Sequence, residues 1–424
     1  MAEYKHRIAD QLLRDKLEGM GAVLIEGPKW CGKTTTAEQQ AGSILYMDAP
    51  QKKEMNLRLA SLNPGSLLEG KAPRLIDEWQ LAPKLWDAVR YEVDHRGEDG
   101  QFILTGSSVP PDSDEISHSG IGRIARLKMR PMSLWESGDS SGTLSLTDLF
   151  EGNGKVVTSL EKTLEEVAFL VCRGGWPRAI LQSPRVALGR AFDYFDAVTA
   201  IDISRVDAVK RNPEWTKRLM RSYARFQGAQ TPIAKIHDDM KANDNVTFDE
   251  KTIQSYITAL KKIFVIEDMT AWNPNLRSKT AIRTSDTRYF VDPSIAVAAL
   301  GIGPKDLMND LETFGLFFET LCARDLRVYA EALNGNVYHY RDKDGLECDA
   351  VIHLRNGDYG LVEVKLGGDA LIDEGASALN TLRDKIDTGR MKKPSFLMVL
   401  IAVGLHAYPR EDGVWVVPVT CLKP

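Results

Sequence analysis

Long apolar runs are missing from this chain of 424 residues. None reaches the roughly 18 uncharged residues that a membrane-spanning helix needs, and the longest, Phe396 to Leu405, reads as a buried strand. The opening Met-Ala-Glu-Tyr-Lys-His-Arg holds no apolar core of a signal peptide. The expectation is a cytoplasmic protein with no membrane partner. Cysteine is scarce as well. Cys31, Cys172, Cys322, Cys348 and Cys421 are scattered, odd in number and without paired spacing, which argues against a disulfide framework or a cysteine zinc site and fits a reducing compartment. A strong charge of either sign is also missing. With a net charge of −5, the whole surface does not attract nucleic acid, and any DNA contact has to come from local basic patches. There is no internal repeat and no low-complexity tract. What remains is an ordinary globular composition, long enough for two to four domains.

Residues 5–18 show helical spacing, with Ile8, Leu12, Leu13 and Leu17 on one side, and Gly19 to Gly21 break the helix. A short apolar run, Ala22–Ile25, follows and ends in a glycine loop. Similar runs recur at Ile44–Met47, Arg74–Ile76, Phe102–Leu104 and Ala125–Lys128, with helical stretches at Thr35–Gln40, Gln51–Ser61 and Pro83–Val93. This alternation predicts a parallel α/β sheet domain over residues 1–137, closed by the Ser-, Gly- and Asp-rich stretch Ser137–Gly154. A mostly helical lid or linker, 138–209, comes next. Basic residues (Lys210, Arg211, Lys217, Arg218, Arg221, Arg225) then precede units that resemble a helix-turn-helix with a wing, within 210–310. The units are Ile233–Lys241, Asp249–Ile263, and the strand-like runs Val265–Ala271 and Arg288–Val291 around the polar loop Asn273–Thr287. A closing α/β section, 311–424, opens with a helix at Thr313–Ala330. Its strands are expected near Asn336–Tyr340, Cys348–Leu354, Tyr359–Val364 and Ser395–Ile401.

Gly27-Pro-Lys-Trp-Cys-Gly32-Lys33-Thr34 has the full Walker A spacing, between a predicted strand and a predicted helix. The loop from Gly27 and Pro28 through Gly32 to Thr34 and Thr35 is the expected phosphate cradle for ATP. Lys33 should reach the β/γ-phosphates, and Thr34 should ligate Mg²⁺. Arg74-Leu-Ile-Asp77-Glu78 is an apolar strand ending in two carboxylates, where an open α/β sheet places its ligand groups. Asp77 would hold the Mg²⁺ shell, and Glu78 would orient and polarise the attacking water. The alternative makes both acids solvated strand ends or helix caps. Thr105 or Ser107, at the end of the next strand with Ser108, would sense the γ-phosphate, or simply satisfy a turn. Arg123 and Arg126 follow a Pro-, Ser-, Asp- and Gly-rich stretch. One of them would serve as an arginine finger, in cis or in trans, unless both pair with surface carboxylates. His118, in the same stretch, reads as solvated.

The segments GPKWCGKTTTA, RLIDEWQ, FILTGSS, SGIGRIARLKMRPMSLWE, GGWPRA and ECDAVIHLRNGDYGLVEVKLG span nearly the whole chain. In combination they resemble a group of bacterial and archaeal AAA-type P-loop ATPases that carry a C-terminal domain of unknown function. The resemblance implies an AAA-type core, a helical and winged-helix middle, and a C-terminal α/β fold similar to PD-(D/E)xK nucleases.

In the last section Asp349 begins one strand, while Glu363 and Lys365 share a face of the next by the two-residue period. A hairpin turning at Asn356-Gly357 brings Asp349 beside them. Two carboxylates holding Mg²⁺ with a lysine positioning water is a phosphodiesterase arrangement. The resemblance adds Glu319 as the acid contributed by the first helix, making Glu319, Asp349 and Glu363 the expected metal ligands. A cross-sheet ion pair is the alternative. The helix Asp249–Ile263 carries Gln254, Ser255, Thr258, Lys261 and Lys262, which suit a DNA groove, although many such modules contact protein. DNA, a protein and a second copy of the chain are thus the candidate partners beside ATP. Two functions compete: an ATPase controlling a nuclease site, and a nucleotide-dependent switch that binds without cutting.

Overall fold

The computed structural model describes residues 4–107, 120–206, 209–244, 249–275 and 282–424. Ser108 and His118 lie outside the described residues, as does part of the Asn273–Thr287 loop. Five short apolar runs make the first sheet: β1 (Ala22–Glu26), β2 (Ser43–Tyr46), β3 (Arg74–Asp77), β4 (Phe102–Gly106) and β5 (Ile124–Lys128). All pairings are parallel, in the order β2-β3-β4-β1-β5. The central strands are buried along almost their whole length, as expected where helices cover both faces. Because β4 sits between β1 and β3, Thr105 lies opposite both Asp77 and Ile25. The ends of three strands therefore meet where the glycine loop begins.

The middle is helical, with Leu164–Arg173, Pro184–Ala200, Pro213–Arg225, Ile233–Asp244, Glu250–Lys262 and Pro293–Leu300 sharing one apolar core. The two expected wing runs meet only through isolated antiparallel bridges, Ile266 to Phe290 and Met269 to Thr287. No ladder forms between them among the described residues.

The C-terminal sheet is mixed. Two short strands, β6 (Leu144–Ser145) and β7 (Val157–Thr158), come from the region read as linker. They are followed by β8 (Gly335–Arg341), β9 (Glu347–Leu354), β10 (Tyr359–Lys365), β11 (Phe396–Ile401), β12 (His406–Pro409), β13 (Val414–Pro418) and β14 (Leu422–Lys423). Seven of them run in the order β7-β12-β13-β11-β10-β9-β8, and β14 pairs with β6. Residues 144–158 thus pair with the C-terminal strands and close the chain's end against the first domain's boundary. Alternation along β9 and β10 sends Ala350, Ile352 and Val362 into the core beneath the helix Leu311–Ala332. Val351 and Leu361 face the core beneath the helix Asp369–Lys385.

One buried cluster fastens these parts together. Arg324, on the helix Leu311–Ala332, donates to Asp292 Oδ2 and Asp325 Oδ1, both at 2.8 Å. Asp292 also accepts the Gly175 and Ser294 N–H groups, and Asp325 accepts the Leu134 N–H. All three side chains are sealed from water, with exposures of 1%, 0% and 2% for Arg324, Asp292 and Asp325. Replacing Arg324 with methionine leaves two buried carboxylates without a counter-charge. Chemical denaturation is expected to show a loss of about 3–5 kcal/mol. A loss near zero would mean that the cluster does not hold the parts together.

Candidate nucleotide site

The glycine loop has to pass close to the segment after β5, and this dictates its first residue. A Cβ on Gly27 would stand 2.0 Å from the Met129 carbonyl oxygen, so only glycine fits. Trp30 adopts a positive φ of 67°, a conformation that costs a side-chain-bearing residue roughly 1–3 kcal/mol and persists where surroundings enforce it. Those surroundings include Arg7, whose guanidinium donates to the Cys31 carbonyl at 2.8 Å and pairs with buried Glu136 at 3.0 Å. Lys33 is buried and donates to the Gly27 and Pro28 carbonyls at 2.9 and 2.8 Å. The ammonium therefore stands at the mouth of the loop.

Thr34 Oγ1 donates to Asp77 Oδ1 at 2.8 Å, and Thr105 Oγ1 donates to the same oxygen at 2.5 Å. Residues 43 and 28 positions apart in the chain close into one polar chain because β3, β4 and β1 are neighbours. Glu78 follows in the left-handed region (φ 57°), which turns its carboxylate toward Gln80 and Ser107. Burial pushes the Asp77 carboxyl above its usual range, against the Thr105 and Thr34 hydroxyls. Burial also raises Glu78, against the Lys33 ammonium. A carboxylate raised in this way suits proton handling nearer neutral pH.

Lys33, Thr34 and Glu78 line one wall of a cavity of about 450 Å³, a size that accommodates a nucleotide. Lys29, Gly32, Lys33, Thr34, Thr35, Glu78 and Ser107 come from the first domain. The opposite wall is helical and was not legible as a site in the sequence: Trp176, Pro177, Arg178 and Arg190. Arg178 is exposed in the cavity and has no acidic partner among the described residues. Lys29 pairs with Asp202 at 2.5 Å, and Trp30 meets Tyr194 edge to face, so the loop is fastened to this roof. The GGWPRA segment signalled it only as a motif without a role.

Arg123 and Arg126 are not brought to the cavity of their own chain. In the parallel register Ile124 lies opposite Ala22, so Arg123 sits at the start of the strands, whereas the glycine loop leaves their far ends. Arg123 pairs with Asp94 at 2.8 Å and Arg126 with Glu26 at 3.0 Å. The finger role in cis is thereby corrected by geometry.

The C-terminal residues are brought near one another but not into a cage. Asp349 and Glu363 begin and end facing stretches of the β9–β10 hairpin, and Val364 N–H donates to Asp349 Oδ2 at 2.8 Å. Lys365 Nζ lies 3.3 Å from Glu363 Oε2, while Glu363 Oε1 is buried without a partner. Glu319 accepts the Tyr289 hydroxyl. Burial first, and then mutual repulsion with Asp349, raise the carboxyls of Glu319 and Glu363. Among the described residues, no three His, Cys, Asp or Glu side chains stand where they could hold a metal ion. The space beside Glu319 and Asp349 is about 20 Å³ and is walled by Tyr289. The expected three-carboxylate Mg²⁺ site is not formed in this arrangement.

Comparison with known proteins matches three stretches of the chain to family models. Residues 20–137 match the family described as an AAA domain. Residues 164–306 and 314–422 match two domains of unknown function, DUF8612 and DUF4143. Over 418 residues the chain is 23% identical to the uncharacterized protein Mb2031c of Mycobacterium bovis, covering 98% of this chain and 83% of that one. The figures are the same for the uncharacterized protein Rv2008c of Mycobacterium tuberculosis. A solved structure, the Walker-type ATPase PABY2304 of Pyrococcus abyssi, aligns with a TM-score of 0.42 at 15% identity, over 70% of this chain and 99% of that one. No helix among the described residues is long and apolar enough to cross a membrane.

An unpaired guanidinium in the roof is expected to meet phosphate. Arg178→Ala should weaken ATP affinity about tenfold, the loss of one charge-assisted hydrogen bond, and leave adenosine affinity unchanged in calorimetric titration. Equal ATP affinities would remove Arg178 from the site.

Proposed function

We propose that this chain, an AAA-domain protein ending in a DUF4143 domain, is a Mg²⁺-dependent ATPase whose nucleotide state is passed to a C-terminal half that binds nucleic acid. The observation that carries the reading is the Thr34–Asp77–Thr105 chain beside Glu78, at the mouth of a loop closed by Lys33. Mg²⁺ keeps several of its waters and needs only one or two protein oxygens, so Thr34 and Asp77 fit it as they stand. When bound, the ion neutralises charge on the β- and γ-phosphates.

The chain's own residues supply the rest. Lys33 exchanges the Gly27 and Pro28 carbonyls for phosphate oxygens, keeping a full set of acceptors. Thr105 fixes the Asp77 carboxylate in orientation, and Glu78 holds and polarises the attacking water. Trp176, Pro177 and Arg178 close the cavity from the helical side. Movement of that roof reaches the C-terminal half through Gly175, whose N–H is bound to Asp292, and then through Arg324. The switch reading is favoured over the nuclease reading because Glu319 is engaged by Tyr289 and, among the described residues, no three acidic side chains gather to hold a metal ion.

Lys33→Ala is expected to abolish high-affinity ATP binding. Glu78→Gln should keep binding and lower turnover about 10²-fold or more, as loss of a base does. Fluorescent-nucleotide titration beside phosphate release reads both. Full turnover by Glu78→Gln would remove that residue from the mechanism. In the same preparations, wild type should leave single-stranded, linear and supercoiled DNA intact with Mg²⁺. Cleavage abolished by Glu363→Ala would restore the nuclease reading.

A further inference from the structure

A second groove, of about 430 Å³, lies away from the nucleotide cavity and between the two sheets. Its origin is a local pattern. In Ala125-Arg-Leu-Lys-Met-Arg130 the cations fall at every second residue, so they share one side of the chain while Leu127 and Met129 are buried on the other. β5 is an edge strand of the first sheet, and β8 is an edge strand of the C-terminal sheet. The groove runs between these edges, over residues 267–270 and the helix Leu311–Ala332.

The charge of the groove opposes that of the chain. Lys16, Arg126, Lys128, Arg130, Arg327 and Arg355 line it, against Glu267, Asp268 and Glu331. Glu267 is the buried anchor: it takes Lys128 at 2.8 Å, Arg130 at 2.7 Å and Arg327 at 3.9 Å, and so fixes three cations side by side. Asp268 is already matched by Lys261 and Arg288. Lys16 and Arg355 have no acidic partner among the described residues. Arg126 is matched by Glu26 and Arg130 also by Glu331, so the positive surplus rests on Lys16 and Arg355, and on a chain of net charge −5 it concentrates anions at that point. The remaining wall is polar and includes Asn334 and Asn336, whose side-chain amides are donors suited to phosphate oxygens.

We propose that this groove binds the phosphodiester backbone of a single-stranded nucleic acid. The unpaired Lys16 ammonium and Arg355 guanidinium supply donors to phosphate oxygens beside the anchored cations, and a groove of this size takes about one nucleotide of a single strand rather than a duplex. The inference rests on the reading of the C-terminal half as a nucleic-acid binder, and it moves the contact away from the helix Glu250–Lys262 to the seam between the two sheets.

The test is fluorescence anisotropy of labelled oligo(dT) and oligo(U) with the full chain, without ATP or Mg²⁺. Wild type is expected to bind with an affinity that falls as salt rises. Lys16→Glu combined with Arg355→Glu should reduce affinity at least tenfold and flatten the log–log salt slope by about two. An unchanged melting temperature checks that the variant is folded. Lys262→Glu should bind as wild type does. The proposal is overturned if wild type does not bind at low salt, if the double variant binds normally, or if Lys262→Glu loses as much affinity. Because neither ATP nor Mg²⁺ is present, binding by a chain that proves unable to hydrolyse ATP leaves the groove standing while the enzymatic reading falls.

Discussion

A guanidinium sealed from water must find carboxylates, and Arg324 finds two that are themselves bound to backbone from other parts of the chain. Asp292 caps the helix Pro293–Leu300 and holds the Gly175 N–H, while Asp325 holds Leu134 at the end of the first domain. Four segments far apart in sequence therefore share one ionic knot. The approach is tight: a Cβ on Gly175 would stand 2.1 Å from the Met132 carbonyl oxygen. The alternative to keeping this arrangement is to strand buried charge, which is far more costly than losing an exposed ion pair.

The position of the nucleotide cavity follows from that knot. Gly175 leads directly into Trp176, Pro177 and Arg178, so the roof over Lys33 and Glu78 stands on the same residues that anchor the helix Leu311–Ala332. That helix also carries Glu319 and Arg327. One element thus faces the roof anchor, the carboxylate cluster and the basic groove. Arg327 lies over the Tyr289 ring at 5.5 Å, and Tyr289 in turn donates to Glu319, so the groove and the cluster are adjacent in the packing. The physical basis for the proposed coupling is this continuity of buried polar contacts.

Legibility in the sequence followed the distance over which a feature is assembled. The glycine loop, Asp77 and Glu78 could be read because each sits on a strand end whose pattern is local, and the parallel order then brought Thr105 to Asp77. The hairpin turn at Asn356-Gly357 was equally local, with Gly357 at φ 87°. Arg123 was misplaced because the motif alone does not say which end of β5 faces the loop. The strand pairing of residues 144–158 with β12 and β14 was hidden by polar composition and by a separation of over two hundred residues. Arg178 and the basic groove were invisible for a related reason. Their chemistry lies in the juxtaposition of separate elements, and total charge averages such a groove away.

The account stands on the claim that ATP is held jointly by the glycine loop and the helical roof, and is felt along the helix Leu311–Ala332 through Asp292 and Arg324. Hydrogen–deuterium exchange with and without ATP and Mg²⁺, in the Glu78→Gln variant, tests this most directly. The expected result is altered protection in residues 27–36, in residues 174–190 and along the helix Leu311–Ala332. Protection confined to residues 20–137, with the roof and that helix exchanging as in the nucleotide-free chain, would contradict it.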